Sequence, residues 1–138
     1  MYREGPEVFR KAEAASLSSL IRETEGKQKT LIIAAGGGLI DNSGAMALLG
    51  RDSGAIIVYL EVSPETAWQR ILRSAKDGAL PPFLDTENPK ETHFALHSRR
   101  AEAYRALADF SVSAEHKSPE EIAGVIAELL KSHPSIPK

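Results

Sequence analysis

The sequence contains no cysteine. This excludes a disulfide scaffold, a thiol nucleophile and any cysteine-ligated zinc or iron–sulfur centre. It also lacks an excess of charge of one sign: 17 basic side chains stand against 19 acidic ones, for a net charge of -2. Nothing in that balance points to nucleic acid or an anionic membrane. Long apolar runs are missing too. The longest, such as Ala55–Leu60, are far too short to span a bilayer. The opening Met1-Tyr2-Arg3-Glu4-Gly5 has no apolar core of the kind a signal peptide needs. With 138 residues, 42% apolar and 26% charged, the chain is expected to be a cytoplasmic, soluble α/β protein with one domain over residues 1–131.

Helical and strand patterns alternate along the chain, which predicts a parallel sheet flanked by helices. A first helix is expected over 6–22, with Pro6 at its first position and an apolar face of Phe9, Ala12, Leu17, Leu20 and Ile21. Residues 30–35 (TLIIAA) form an unbroken apolar run, the mark of a strand covered on both faces. Gly36, Gly37 and Gly38 end it, and a short helix over 43–49 follows. Residues 55–62 predict a second buried strand, and Ser63-Pro64-Glu65 opens a helix to about Arg73. Residues 74–88 have no helical period and read as a long, lid-like loop. Asn88-Pro89-Lys90-Glu91 resembles a capping box at the start of a helix to Ala108. Residues 110–112 predict a third strand, Ser118-Pro119-Glu120-Glu121 opens the last helix to Lys131, and 132–138 is expected to be a flexible tail.

Helix geometry singles out particular charges. At about 100° per residue, Arg10 and Glu13 fall inside the apolar face of the first helix, three residues apart and within reach of each other. They form either a structural ion pair at the rim of that face, or an arrangement in which Glu13 orients Arg10 toward an anion. On the 89–108 helix, Arg100 falls between Tyr104 and Leu107 while Arg99 points to solvent. Arg100 therefore needs a partner, and a ligand carboxylate is one candidate. His93 and His97 share an i,i+4 spacing, but there is no HExxH glutamate between them and no third ligand, so they read as packing or surface residues and no metal site is expected. Ser43 and the other serines have no GxSxG context, so nothing supports covalent catalysis. Three glycines after a buried strand let a ligand approach the backbone at the carboxyl end of a sheet.

Four stretches occur in an order that resembles a known family. They are Gly5-Pro6-Glu7-Val8-Phe9-Arg10-Lys11-Ala12-Glu13, Ile33-Ala34-Ala35-Gly36-Gly37-Gly38, Val58-Tyr59-Leu60 followed by Arg70, and Arg100-Ala101-Glu102-Ala103-Tyr104 leading to Ala108-Asp109. They are similar to the GE..FR..E, (A/S)xGGG and later motifs of the shikimate kinases, small members of the P-loop nucleoside-monophosphate-kinase-like fold. The likeness covers about residues 5–130. It implies that Arg10 and Arg100 clamp the shikimate carboxylate, that Glu13 holds Arg10, and that the Gly36–Gly38 backbone approaches the substrate. It also implies that Arg70 packs on adenine, that Lys117 contacts it, and that ATP and Mg²⁺ take part. Members of the family are monomers.

The chain departs from that family in two places. It contains neither the Walker A pattern GxxGxGK(S/T) nor an Asp-x-Asp, the parts that cradle phosphate and contact Mg²⁺. The expectation is that one βαβ portion, on the order of 30 residues, is missing ahead of Met1. The remaining strands then expose edges, which favours an oligomer. The lid reads Leu80-Pro81-Pro82-Phe83-Leu84 where the family has Arg-Pro-Leu-Leu, and Arg73 or Lys76 could supply the charge. The expected function is ATP-dependent phosphorylation of the shikimate 3-hydroxyl in aromatic amino acid biosynthesis, with this chain inactive by itself. The alternatives are a non-catalytic relative that binds an acidic ligand or a partner, and a gluconate-type small-molecule kinase.

Overall fold

The computed structural model describes residues 5–27, 30–50 and 53–133. The opening tetrapeptide and positions 134–138 of the expected tail lie outside the described residues. Where the sequence reads as one domain, the chain gathers into two compact units, 1–55 and 56–138.

In the first unit, helix α1 (Pro6–Thr24) starts with Pro6 in its first turn after Gly5 at φ 112°, a left-handed conformation that glycine adopts without a Cβ penalty. A single turn over Leu39–Asp41 leads into the short helix α2 (Ser43–Leu48). Asn42 caps α2, its side-chain oxygen accepting the Ala45 N–H at 3.2 Å, which satisfies one of the helix's orphan donors. The core is small: Leu17, Leu39 and Ala45 are buried, with Ala14, Ile21, Met46, Leu48 and Leu49 packed around them. The expected apolar face of α1 is only partly used, because Leu17 is buried while Phe9 remains exposed.

Residues 30–35 do not form the expected buried strand. They belong to no ladder among the described residues, and Ile32 is 90% exposed. A strand needs a neighbour to take its N–H and C=O groups. Among the described residues the one sheet is the two-stranded pairing of the second unit. The apolar run has the composition of a sheet interior without a sheet around it.

That pairing joins β1 (Val58–Glu61) to β2 (Phe110–Ser113) in parallel, with Val58 opposite Phe110 and Glu61 opposite Ser113. The orientation is as the alternating pattern predicts, although β1 is shorter than the predicted 55–62. Asp109 closes its entry: Asp109 Oδ2 accepts the Ile57 N–H at 2.7 Å, while the Asp109 N–H donates to the Ile57 carbonyl at 2.8 Å.

Helix α3 (Pro64–Ser74) is capped by Ser63, whose Oγ accepts the Thr66 N–H at 3.1 Å. Helix α4 (Pro89–Leu107) lacks the expected cap. Asn88 sits at φ -125°, ψ 76° and makes no side-chain cap bond. The ring of Pro89 restricts the backbone of Asn88, and the Asn88 carbonyl instead accepts the Thr92 hydroxyl at 3.0 Å. Helix α5 (Pro119–Lys131) has the full box, with Ser118 Oγ accepting the Glu121 N–H at 3.1 Å and Glu121 accepting the Ser118 N–H at 3.3 Å.

The 74–88 stretch contains two single turns, Lys76–Gly78 and Pro82–Leu84, with Asp77 at φ 57°. Leu84 is fully buried and anchors the second turn, which packs on α4. Ala101, Val112, Ala114 and His93 complete the buried set of this unit. Among the described residues, no helix is long and apolar enough to cross a membrane.

Candidate functional site

In the first unit the predicted residues come together, but with different partners. Arg10 does not pair with Glu13. Its Nη1 donates to Glu7 Oε1 at 3.1 Å, and the two side chains are 46% and 78% exposed. This is the solvated i,i+3 pair that a helix surface offers at low energy, so Arg10 stands on the accessible side of α1 rather than inside its apolar face. Glu13 is held from across the unit. Asn42 Nδ2 donates to Glu13 Oε2 at 2.9 Å and to the Arg10 carbonyl at 2.8 Å. Asn42 itself is 3% exposed. Both its amide protons and its oxygen are thus engaged, as a buried amide requires.

The glycine run bends back beside this carboxylate. The Leu39 N–H donates to the Gly36 carbonyl at 3.2 Å, and the Asp41 N–H donates to the Gly38 carbonyl at 3.0 Å. A Cβ on Gly36 would stand 3.9 Å from Glu13 Oε1, whereas one on Gly37 would meet nothing within 4 Å. The glycine bend thus runs alongside Glu13, with ordinary contact distance at Gly36, and Gly37 is exposed. A shallow cavity of about 230 Å³ lies along Arg10, Lys11, Asp41 and Asn42.

In the second unit Arg100 is half-buried on α4 and Arg99 is exposed, as the helical wheel predicts. Arg70 donates through Nη2 to the Ala114 carbonyl at 3.2 Å. That contact anchors it against the start of the loop that carries Lys117, where His116 takes φ 54°. Arg73 and Lys117 are exposed.

A larger cavity of about 670 Å³ lies at the carboxyl ends of the strands, lined by Glu61, Ser63, His97, Arg105 and Glu115 among others. Arg105 pairs with Glu61 there. Glu115 accepts from the Thr66 hydroxyl, from the Ser63 N–H at 2.9 Å and from Ser63 Oγ at 3.3 Å. The Thr66 hydroxyl, followed by the Ser63 N–H, holds its carboxyl below the usual range. Burial first, then the neighbouring His93 and Arg105, pushes His97 below the ordinary imidazole value. His93 is a packing residue: it is buried, its Nε2 donates to the Pro64 carbonyl at 3.0 Å, and its ring lies 5.6 Å from that of Trp68.

The residues present do not fit a nucleoside triphosphate and Mg²⁺. The sequence has no glycine-rich cradle ending in Lys-Ser or Lys-Thr, and no Asp-x-Asp. Among the described residues no group of three His, Asp or Glu side chains is placed to hold a cation.

Sequence reasoning overlooked Asn42 and Glu115. Asn42 had a signal, since an asparagine directly before a helix start is a favoured cap. No local pattern announces Glu115, whose partners lie 49 and 52 positions away.

Comparison with known proteins points to one family. The family model for shikimate kinase matches residues 1–131, a range that takes in residues of both units. The shikimate kinase of Vibrio campbellii is 31% identical over 131 residues, covering 93% of this chain and 68% of the relative. That of Thermus thermophilus is 35% identical, covering 94% and 64%. A solved shikimate kinase from Acinetobacter baumannii, in complex with shikimate, superposes with a TM-score of 0.74 at 29% identity, covering 94% of this chain and 66% of that one. The chain has the α/β, P-loop kinase-type fold and belongs to the shikimate kinase family.

Proposed function

We propose that this chain carries the acid-substrate half of an ATP:shikimate 3-phosphotransferase, and that by itself it binds shikimate without phosphorylating it. Arg10 and Arg100 take the substrate carboxylate, since a guanidinium fork matches its two oxygens. Gly36–Gly38 offer backbone to the ring, Arg70 and Lys117 take the base of a nucleotide, and the 74–88 stretch serves as the lid with Arg73 or Lys76 as its cation. The whole of 1–131 functions as one cytoplasmic domain.

The observation that carries this reading is the cluster on the first unit. There the accessible Arg10 guanidinium stands on the same helix as a Glu13 carboxylate fixed beside Gly36. Among the described residues the Arg10 guanidinium pairs with an exposed glutamate, a contact of about 0–1 kcal/mol that a ligand carboxylate displaces at little cost.

Isothermal titration of the full chain with shikimate tests it. Saturable binding that Arg10→Ala and Arg100→Ala each weaken supports the reading, and no binding overturns it. ATP-dependent phosphorylation of shikimate by this chain alone would overturn the inactivity. A non-catalytic relative that binds an acidic ligand other than shikimate is the second reading, favoured by the missing phosphate motifs. Preference for an unrelated carboxylate in the same titration selects it.

A further inference from the structure

Among the described residues of the first unit, Asn42 is the buried polar side chain, and it joins two helices of that unit. Its oxygen caps α2 through the Ala45 N–H. Its Nδ2 reaches α1 twice, at the Arg10 carbonyl and at Glu13 Oε2. Gly36, at the start of the glycine bend, lies against the other oxygen of the same carboxylate.

Capping alone requires only an acceptor, which serine or aspartate supplies as well as asparagine. The second function, donation to Glu13, requires the amide. A serine hydroxyl is too short to reach both groups, and an aspartate would turn acceptor against acceptor. The geometry therefore asks for asparagine here because of Glu13.

A glutamate has three side-chain torsions, and an exposed one samples many rotamers. Glu13 does not, because one of its oxygens is tied to a buried donor. That leaves Oε1 aimed along the face of Gly36. Arg10, three residues earlier on the same helix, pairs with the solvated Glu7 rather than with Glu13.

We propose that Asn42 is a positioning residue of the acid-substrate site: it fixes the Glu13 carboxylate beside the glycine bend and so keeps the Arg10 guanidinium available for the ligand carboxylate. This rests on the proposed function for the identity of the ligand, though not for the pin itself. Asn42 touches no substrate in this scheme and acts on the site through Glu13.

Two measurements on the full chain test it. In the first, the side-chain amide protons of Asn42 are followed by nuclear magnetic resonance without ligand. Slow exchange with solvent, accelerated in Glu13→Ala, is the expected result. Exchange at the rate of a free amide, or exchange indifferent to Glu13→Ala, overturns the pin whatever shikimate does.

In the second, shikimate affinity is measured for Asn42→Ser and Asn42→Asp, both of which keep a cap acceptor for α2. Each is expected to bind roughly tenfold more weakly, in line with a lost hydrogen bond to a charged group. In the Glu13→Ala background the same substitutions are expected to change affinity less than twofold, because the group they act through is gone. Wild-type affinity in both cap-preserving variants, or equal losses with and without Glu13, would reduce Asn42 to a helix cap and sink the proposal. A wild-type chain that binds no shikimate fails the functional reading instead, and the exchange measurement still decides on the pin.

Discussion

Glu115 accepts the backbone N–H of Ser63 at 2.9 Å, tying the end of β2 to the first turn of α3. The positive end of a helix is a favourable place for a carboxylate, and the hydroxyls of Thr66 and Ser63 complete its coordination.

These bonds hold the Glu115 carboxyl below its ordinary value, so its contribution to stability is complete above the unfolded carboxylate range. It is lost as pH falls through the lower, folded value. Denaturation curves measured between neutral and acid pH should show Glu115→Gln less stable than wild type at neutral pH. The gap should close as both approach the acid limit. A pH-independent gap would contradict the charged interaction.

His97 titrates in the same direction for the opposite reason. Its folded state disfavours the proton, so below about pH 6.5 the unfolded chain binds more protons than the native one. Stability then declines as pH drops through that region. His97→Phe is expected to flatten this part of the profile, which thermal melts at closely spaced pH values between 7.5 and 5 would reveal.

Leu84 is the fully buried residue of the 74–88 stretch. Leu84→Ala should cost about 2–5 kcal/mol in a urea denaturation experiment. The neighbouring Phe83→Ala, at a half-exposed position, should cost much less. Glu7→Ala should change stability by less than about 0.5 kcal/mol, since its ion pair with Arg10 is solvated.

The run Leu31, Ile32 and Ile33 presents apolar side chains to water outside any ladder among the described residues, the combination that promotes edge-to-edge association. Light scattering should show the average mass rising with protein concentration. Ile32→Lys should suppress that rise.

Much of the fold was legible because its signals are local. Pro6, Ser63-Pro64 and Ser118-Pro119 marked three helix starts correctly, since cap chemistry is decided within four residues. The parallel pairing of β1 with β2 followed from their separation by helical segments. Residues 30–35 misled for the converse reason: their pattern records what a strand would be buried against, and burial depends on neighbours that composition cannot supply. On α1 the wheel set Arg10 and Glu13 together inside the apolar face, whereas Arg10 stands exposed beside Glu7 and Glu13 is held by Asn42. Asn42 sits 29 positions away from Glu13, where helix periodicity carries no information.

The β1–β2 ladder has a kinetic consequence. Val58 and Phe110 are partners across more than half of the second unit's sequence, and α3, the two single turns and α4 all lie between them. Such a pairing must close a long stretch of chain before any of its hydrogen bonds can form. The sheet is therefore the last part of that unit to assemble, after α3 and α4 have docked and brought the strand ends within reach, and refolding rates should respond to substitutions in that helix pair before they respond to any in the strands.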